Sequence, residues 1–332
     1  MRVCYLGTGS WGFCLATLLA KKGIRVTSWT TSPELAASLN ATRIHPRFPE
    51  HPAPENITFT TDIAKALDKA DLIVESVTTA GIRPVFEQAQ KSGLPDVPIC
   101  ITSKGIELKT GLLTPDILTA VLGEGAKSRI GMLSGPSFAQ EIIRGLPTSV
   151  VGTSFSPETT ETICEAFTTE TLRVYPNSDV YGVALVGALK NAIAIACGMS
   201  DGMQMGNSAK AALMTRGLHE IRKLGVAMGC RPETFSGLAG MGDLTMTASS
   251  PLSRNYRFGQ LLAQGLSSDE ARDQIGMVVE GSYSCEAALR LSREYGIAIP
   301  ITEGVFHIIQ GDIKLRDALR LLMKRSVKEE HL

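Results

Sequence analysis

The sequence predicts an α/β domain built on a mostly parallel sheet, followed by an all-α domain. Three observations lead there. In the first part of the chain short apolar runs alternate with helical patterns, the signature of strands joined by crossover helices. After about Asn177 the β-branched runs nearly vanish and helical periodicity takes over. At 332 residues the chain also exceeds the ~100–200 residues of an ordinary domain. The expected division is between residues 1–178 and residues 179–332.

Arg2–Leu6 reads as a buried strand and Gly7–Gly12 as a turn. Phe13–Lys22 is then an apolar helix stopped by Gly23, and Ile24–Trp29 a second strand, completing one βαβ unit. The pattern continues with a helix near Pro33–Leu39, a Pro-rich loop over His45–Pro54, a strand at Ile57–Thr60, a helix over Asp62–Lys69 and a strand at Asp71–Val77. Further strands are expected at Ile99–Thr102, Ile130–Leu133, Ser149–Gly152 and Leu172–Tyr175. Ser156 and Pro157 supply the cap and first-turn chemistry of a helix between the last two. Helices then follow over Val180–Met199, Ser208–Met228, Arg254–Gln264, Ser268–Gln274, Ser284–Tyr295, Glu303–Gln310 and Lys314–Lys324, with Ser267 and Glu270 at capping-box spacing. Val180–Met199 has the length of a membrane span, but its central Lys190 would cost ~2.5–3.5 kcal/mol in a bilayer. A buried core helix, and no membrane span, is the expectation.

Hydrophobic residues at 44% and charged residues at 20% describe a globular chain. Basic and acidic residues both number 33, so no bulk field drives the protein onto nucleic acid or an anionic membrane, and any anion must be bound locally. The seven cysteines (Cys4, Cys14, Cys100, Cys164, Cys197, Cys230, Cys285) are odd in number and lack C-x-x-C spacing. That argues against a disulfide framework or zinc ribbon and for a reducing cytoplasm. The apolar N-terminus has the composition of a signal sequence, but glycines interrupt it and a strand follows, so no targeting peptide is expected. His45 and His51 in the Pro-rich loop, His219 in a helix, His307 on an apolar stretch and His331 at the tail form no metal-ligand pattern.

The glycine turn carries the first chemistry. Gly7 permits the tight turn, Gly9 lets the backbone approach a pyrophosphate, and Gly12 allows close helix packing, while the helix N-terminus offers amide donors. A ligand-free strand-to-helix turn could use the same glycines. The preceding strand and following helix favour a Rossmann-type dinucleotide site. At the end of the second strand, Thr30-Thr31-Ser32 contains neither an acid for a ribose 2′-OH nor a base for a 2′-phosphate, and Glu34 and Arg43 lie farther along. NAD or NADP therefore stays open.

Lys104 follows the strand at Ile99–Thr102, on the side where open α/β sheets bind ligands, although a solvated loop lysine would look the same. Gly135-Pro-Ser-Phe-Ala139 also follows a strand, and either lines that site or simply turns into a helix. Lys190 stands among small and apolar residues, where a lone ammonium is costly unless paired or working, and the alternative is a stem that snorkels to the surface. Asp243, in the Gly-rich Gly237–Leu244 turn, is an available partner. Ser253-Arg254-Asn255 precedes a helix and reads as a phosphate seat or as a capped surface helix.

Taken together, these stretches resemble the soluble, two-domain NAD(P)-dependent glycerol-3-phosphate dehydrogenases over essentially the whole chain. The resemblance rests on Gly7–Gly12, Ser103–Ile106, Ser134–Ala139, Gly187–Ala194 with Gly198–Gly202 and Gly206-Asn207, Gly240–Leu244, Ser253–Asn255 and Val278–Gly281. It implies hydride exchange between the nicotinamide and dihydroxyacetone phosphate or sn-glycerol 3-phosphate. Lys190 would then be the proton donor or acceptor at the C2 oxygen, with Lys104 and Asp243 beside it. Gly135, Ser137, Ser253, Arg254 and Asn255 would fall in the substrate pocket. Ser10, Trp11, Lys104, Ala139, Arg254, Val278 and Glu280 match cofactor-contacting positions, joining Gly7, Gly9, Gly12, Thr30 and Thr31. Two departures stand out: Thr31 replaces a commoner basic residue, and Val77-Thr78-Thr79 a commoner Pro-Ser ending. The resemblance also implies a homodimer that supplies glycerol 3-phosphate for phospholipid synthesis. A hydroxy-acid dehydrogenase would keep the glycine turn and lysine with little use for a phosphate seat. A non-catalytic nucleotide sensor would gain nothing evident from Lys104, Lys190 and Asp243.

Overall fold

The computed structural model describes residues 1–326 and 329–330, so His331 lies outside the described residues. The chain forms two compact units, residues 1–104 with 112–180 and residues 105–111 with 181–332. Residues 105–111 thus group with the second unit although the sequence around them belongs to the first.

In the first unit β1 (Arg2–Leu6), β2 (Arg25–Trp29), β3 (Ile57–Thr60), β4 (Leu72–Glu75), β5 (Ile99–Ile101), β6 (Ile130–Ser134), β7 (Thr148–Ser154) and β8 (Leu172–Asn177) make one sheet of order β3-β2-β1-β4-β5-β6-β7-β8. Every neighbouring pair is parallel except β6 and β7, which run antiparallel. All four residues of β4 are buried, as are Val3 to Leu6 of β1, because helices cover both faces and leave no wet side to alternate with. Strand order reverses between β1 and β4, the topological switch point where sheets of this class take ligands.

The connecting helices are α1 (Ser10–Lys21), α2 (Pro33–Thr42), α3 (Ile63–Leu67), α4 (Thr79–Lys91), α5 (Thr114–Leu122), α6 (Ala139–Ile143) and α7 (Pro157–Phe167). Ser156 caps α7 by accepting the Thr159 N–H at 3.2 Å. The Pro-rich loop is fastened to α1: the Phe13 ring lies 4.8 Å from His45 and 6.1 Å from Phe48. Burial holds His45 below the usual imidazole range, so it is a neutral core residue.

The second unit contains α8 (Val180–Gly202) from Tyr181 onward, α9 (Gly206–Ala227), α10 (Pro232–Ser236), α11 (Asp243–Ser249), α12 (Arg254–Ala263), α13 (Ser268–Ile275), α14 (Glu280–Tyr295), α15 (Pro300–Gln310) and α16 (Leu315–Met323). α8 is long and apolar enough to cross a membrane, but 94% of its most apolar window is buried inside the structure. The α8 and α12 backbones touch, since a Cβ on Gly198 would lie 2.0 Å from the Tyr256 carbonyl oxygen and one on Gly259 would lie 2.1 Å from that of Ile195. The expected turn over Gly237–Leu244 is instead a π-helical stretch, Leu238–Gly242, running into α11. The Gly242 N–H closes it by donating to the Gly237 oxygen at 3.1 Å. The Ser267–Glu270 capping box on α13 forms with both of its hydrogen bonds.

Candidate active site

The first unit places the glycine turn between β1 and α1. Gly7 sits at φ +110°, and its N–H donates to the Trp29 oxygen at 3.0 Å. A Cβ on Gly12 would lie 2.0 Å from the Gly7 oxygen, whereas one on Gly9 would meet nothing within 4 Å. The turn is therefore packed on its inner side and open where a ligand would approach. No side chain caps α1, which leaves the amides around Ser10 and Trp11 without a side-chain acceptor.

At the end of β2 Thr30 is buried, and its hydroxyl accepts the Ser32 N–H at 3.3 Å. Ser32 caps α2 through Leu35 and donates to Glu34 at 2.9 Å. Thr31 is the exposed hydroxyl of the three. Arg43 is committed elsewhere: its guanidinium donates to the Ala53 and Pro54 carbonyls and lies 5.5 Å over the Phe59 ring.

Past β5, the Lys104 ammonium donates to the Gly135 oxygen at 3.2 Å, and the Ser137 hydroxyl donates to the same oxygen at 3.0 Å. Lys104 thus meets Gly135 and Ser137, although 31 residues separate it from Gly135 in sequence. Ala139 opens α6, and its carbonyl accepts the Cys14 thiol of α1 at 3.2 Å.

The second unit builds a separate cluster. Lys190 lies mid-way along α8 with 6% of its side chain exposed, and it pairs with Asp243, whose side chain is 0% exposed. Its Nζ also donates to the Thr247 hydroxyl at 2.7 Å, and that hydroxyl donates to the Asp243 carbonyl at 2.6 Å. Asp243 and Thr247 share a helix face because they stand four apart within α11, which is helical from Asp243 onward. Burying an ammonium costs several kcal/mol of hydration, which the carboxylate and hydroxyl offset. Sequence reading missed Thr247, because a turn would not have carried that spacing.

Around this cluster Ser253 caps α12 by accepting the Tyr256 N–H at 3.2 Å. Arg254 donates to the Val278 carbonyl at 2.9 Å, and Asn255 Oδ1 accepts the Gly281 N–H at 3.0 Å. A Cβ on Gly281 would approach both Asn255 Oδ1, at 2.8 Å, and the Asn191 carbonyl, at 3.0 Å. The start of α12, the start of α14 with Glu280, and the middle of α8 therefore converge. Among the described residues no group of three or more His, Cys, Asp or Glu is placed to hold a metal ion.

Two family models cover this chain: the NAD-dependent glycerol-3-phosphate dehydrogenase N-terminus over residues 2–160 and its C-terminus over residues 179–320. The chain belongs to the NAD-dependent glycerol-3-phosphate dehydrogenase family. A relative from Protochlamydia amoebophila, named glycerol-3-phosphate dehydrogenase [NAD(P)+], is 61% identical, the match covering 100% of this chain and 99% of the relative. One of the same name from Chlamydia felis is 50% identical over the same shares. The crystal structure of a glycerol-3-phosphate dehydrogenase from Coxiella burnetii superposes with a TM-score of 0.91 at 34% identity, covering 98% of this chain and 99% of that one. A D-mandelate dehydrogenase shares the fold at a TM-score of 0.64 and 13% identity.

The dinucleotide of this glycerol-3-phosphate dehydrogenase family fits the residues present. The inner wall of the glycine turn has no room for a side chain at Gly12, its outer wall is open at Gly9, and the uncapped N-terminus of α1 stands beside it.

Proposed function

We propose that this chain is an NAD(P)-dependent sn-glycerol-3-phosphate dehydrogenase that interconverts dihydroxyacetone phosphate and sn-glycerol 3-phosphate. The observation that carries this reading is the buried Lys190–Asp243–Thr247 cluster, in a chain that the two family models match over residues 2–160 and 179–320. Residues 1–178 would bind the dinucleotide through Gly7, Gly9, Ser10, Trp11, Gly12, Thr30, Thr31 and Ala139, and residues 179–332 would hold the substrate.

When bound, the reduced nicotinamide supplies a hydride to the C2 carbonyl carbon. The C2 oxygen then carries the charge, and the Lys190 ammonium is the group suited to give it a proton, worth ~10²–10⁴-fold as general acid catalysis. In the reverse direction the neutral amine accepts that proton. Asp243 and Thr247 hold the nitrogen in place and offset its burial. Arg254, with Ser253 and Asn255 at the start of α12, has the charge and donors to seat the phosphate, and Val278 and Glu280 lie on the segment that Arg254 and Asn255 tie down. Lys104, with Gly135 and Ser137, is assigned to the substrate and nicotinamide end of the first unit.

A homodimer working in a reducing cytoplasm, and supplying the glycerol 3-phosphate from which phospholipids are built, completes the reading; sedimentation of the purified chain tests the dimer. The decisive experiment is steady-state kinetics with dihydroxyacetone phosphate and with unphosphorylated keto acids, using NADH and NADPH in turn. Turnover confined to the phosphorylated ketone is expected. Preference for an unphosphorylated acid would overturn the substrate assignment, and no oxidation of either nicotinamide would overturn the enzyme.

A further inference from the structure

Glu75 ends β4 opposite Leu6 of β1, and its side chain is fully buried at the strand order reversal. Nothing in the proposed chemistry uses it. Its Oε1 accepts the Val77 N–H at 2.6 Å, and its Oε2 accepts the Ser103 hydroxyl at 2.6 Å and the Ser103 N–H at 3.4 Å. Its backbone oxygen takes both the N–H and the hydroxyl of Thr102, at 2.9 and 2.7 Å. One side chain therefore ties the segment after β4 to the residue before Lys104. The β4 segment also abuts the glycine turn, since a Cβ on Gly7 would lie 2.6 Å from the Ser76 oxygen. Val77 lies in the segment that leads from β4 into α4, and Glu75 supplies the acceptor that anchors it.

We propose that Glu75 is a positioning residue for the dinucleotide: ionised, it holds residues 76–78 and 103–104 in the binding conformation against the glycine turn; protonated, it releases them. The proposal rests on the reading that the first unit binds a nicotinamide dinucleotide. Three N–H or O–H donors face the carboxylate, a set that satisfies an ionised acid. Protonation turns one acceptor oxygen into a donor, so that it faces a donor it had accepted from and one of the bonds to Val77 or Ser103 is weakened or reversed. Burial outweighs those bonds and pushes the carboxyl up to about 7, so both forms exist near neutrality. The titratable neighbours are Cys100 on β5 and Tyr5 on β1, which burial raises well above their ordinary values, so neither changes charge there. The Lys104 ammonium points to Gly135 instead.

The test is fluorescence titration of the full chain with NADH, which has no group titrating near neutrality, from about pH 6 to about pH 8. In the wild type the NADH Kd should rise as the pH falls through about 7, approaching tenfold per unit, the limit for one linked proton. Glu75→Gln, which places an amide where the acid stood, should bind about tenfold more weakly than the wild type at about pH 8, with little dependence on pH. His45, on the loop packed against α1, is present in both proteins, so the difference in slope belongs to Glu75. Ser103→Ala, a variant that adds no polar group, should weaken NADH roughly threefold, within the range of one hydrogen bond. Variants that match a wild type of normal NADH affinity, or a wild-type Kd that is flat with pH, overturn the role of Glu75 alone. A wild type that binds neither NADH nor NADPH overturns the reading beneath it.

Discussion

Removing the Asp243 carboxylate strands the Lys190 ammonium in a site where the lysine side chain is 6% and the aspartate side chain 0% exposed. Breaking a buried pair from one side costs ~3–5 kcal/mol, because the remaining ammonium, left with the Thr247 hydroxyl, has lost both water and its counter-charge. Set against the ~5–15 kcal/mol that holds a typical domain folded, Asp243→Ala should shift urea unfolding by a large fraction of the whole. Thr247 stays satisfied, because its hydroxyl donates to the Asp243 backbone carbonyl, which the substitution keeps. The double variant Lys190→Met with Asp243→Leu removes both charges and fills the space with apolar atoms, so it should recover most of the lost stability. Turnover with dihydroxyacetone phosphate should be lost in both variants. Urea unfolding of wild type, single and double variants, with steady-state rates on the same preparations, reads both quantities. A double variant as unstable as the single one, or an Asp243→Ala enzyme with wild-type turnover, would refute the reasoning.

Three further outcomes follow from the geometry. Gly12→Ala pushes a methyl group into the Gly7 carbonyl, so it should cost ~1–3 kcal/mol of stability and weaken NADH binding, read by urea unfolding and fluorescence titration. Arg254→Ala removes a charge-assisted phosphate contact of ~1.5–3 kcal/mol and should raise the KM for dihydroxyacetone phosphate roughly ten- to hundredfold; an unchanged KM removes Arg254 from the phosphate seat. Glu220 is buried and accepts the Ile301 N–H at 2.7 Å and the Thr302 N–H at 3.3 Å at the start of α15, yet desolvation raises its carboxyl from 4.5 to about 7. Between those two values the folded chain holds a proton that the unfolded chain has released, so this group's contribution to stability falls as pH rises through the window. Glu220→Gln should therefore gain on the wild type between about pH 5 and about pH 8, by on the order of 3 kcal/mol in urea unfolding, and a pH-independent difference would exclude the titration.

Local chemistry made much of the fold legible. Gly7, Gly9 and Gly12 stand between a strand and a helix because their spacing is itself the geometric requirement, and Ser156, Ser253 and Ser267 cap the helices that follow them. Elements whose local signals conflict with their structure escaped. α4 carries Gly81 and Pro84 inside it, both breakers in isolation, and packing overrides them. The antiparallel β7 has no marker, because strand direction depends on where the chain returns and not on which residues it carries.

At the candidate site, Lys190 was legible because an ammonium in an apolar helix needs an explanation, and Asp243, 53 residues away, because the Gly-rich segment offered an acid as an available partner. Thr247 and Glu75 were not. Threonine is common in helices, and a glutamate ending an apolar strand looks like a surface residue until three donors are seen to converge on it.

The most direct measurement compares Lys190→Ala with the wild type in two assays on one preparation, NADH oxidation with dihydroxyacetone phosphate and NADH binding by fluorescence titration. With Lys190 as proton donor, turnover falls ~10²–10⁴-fold while the NADH Kd stays within about twofold. Equal and modest losses in both assays would place Lys190 in the framework of the second unit and leave the proton to another group.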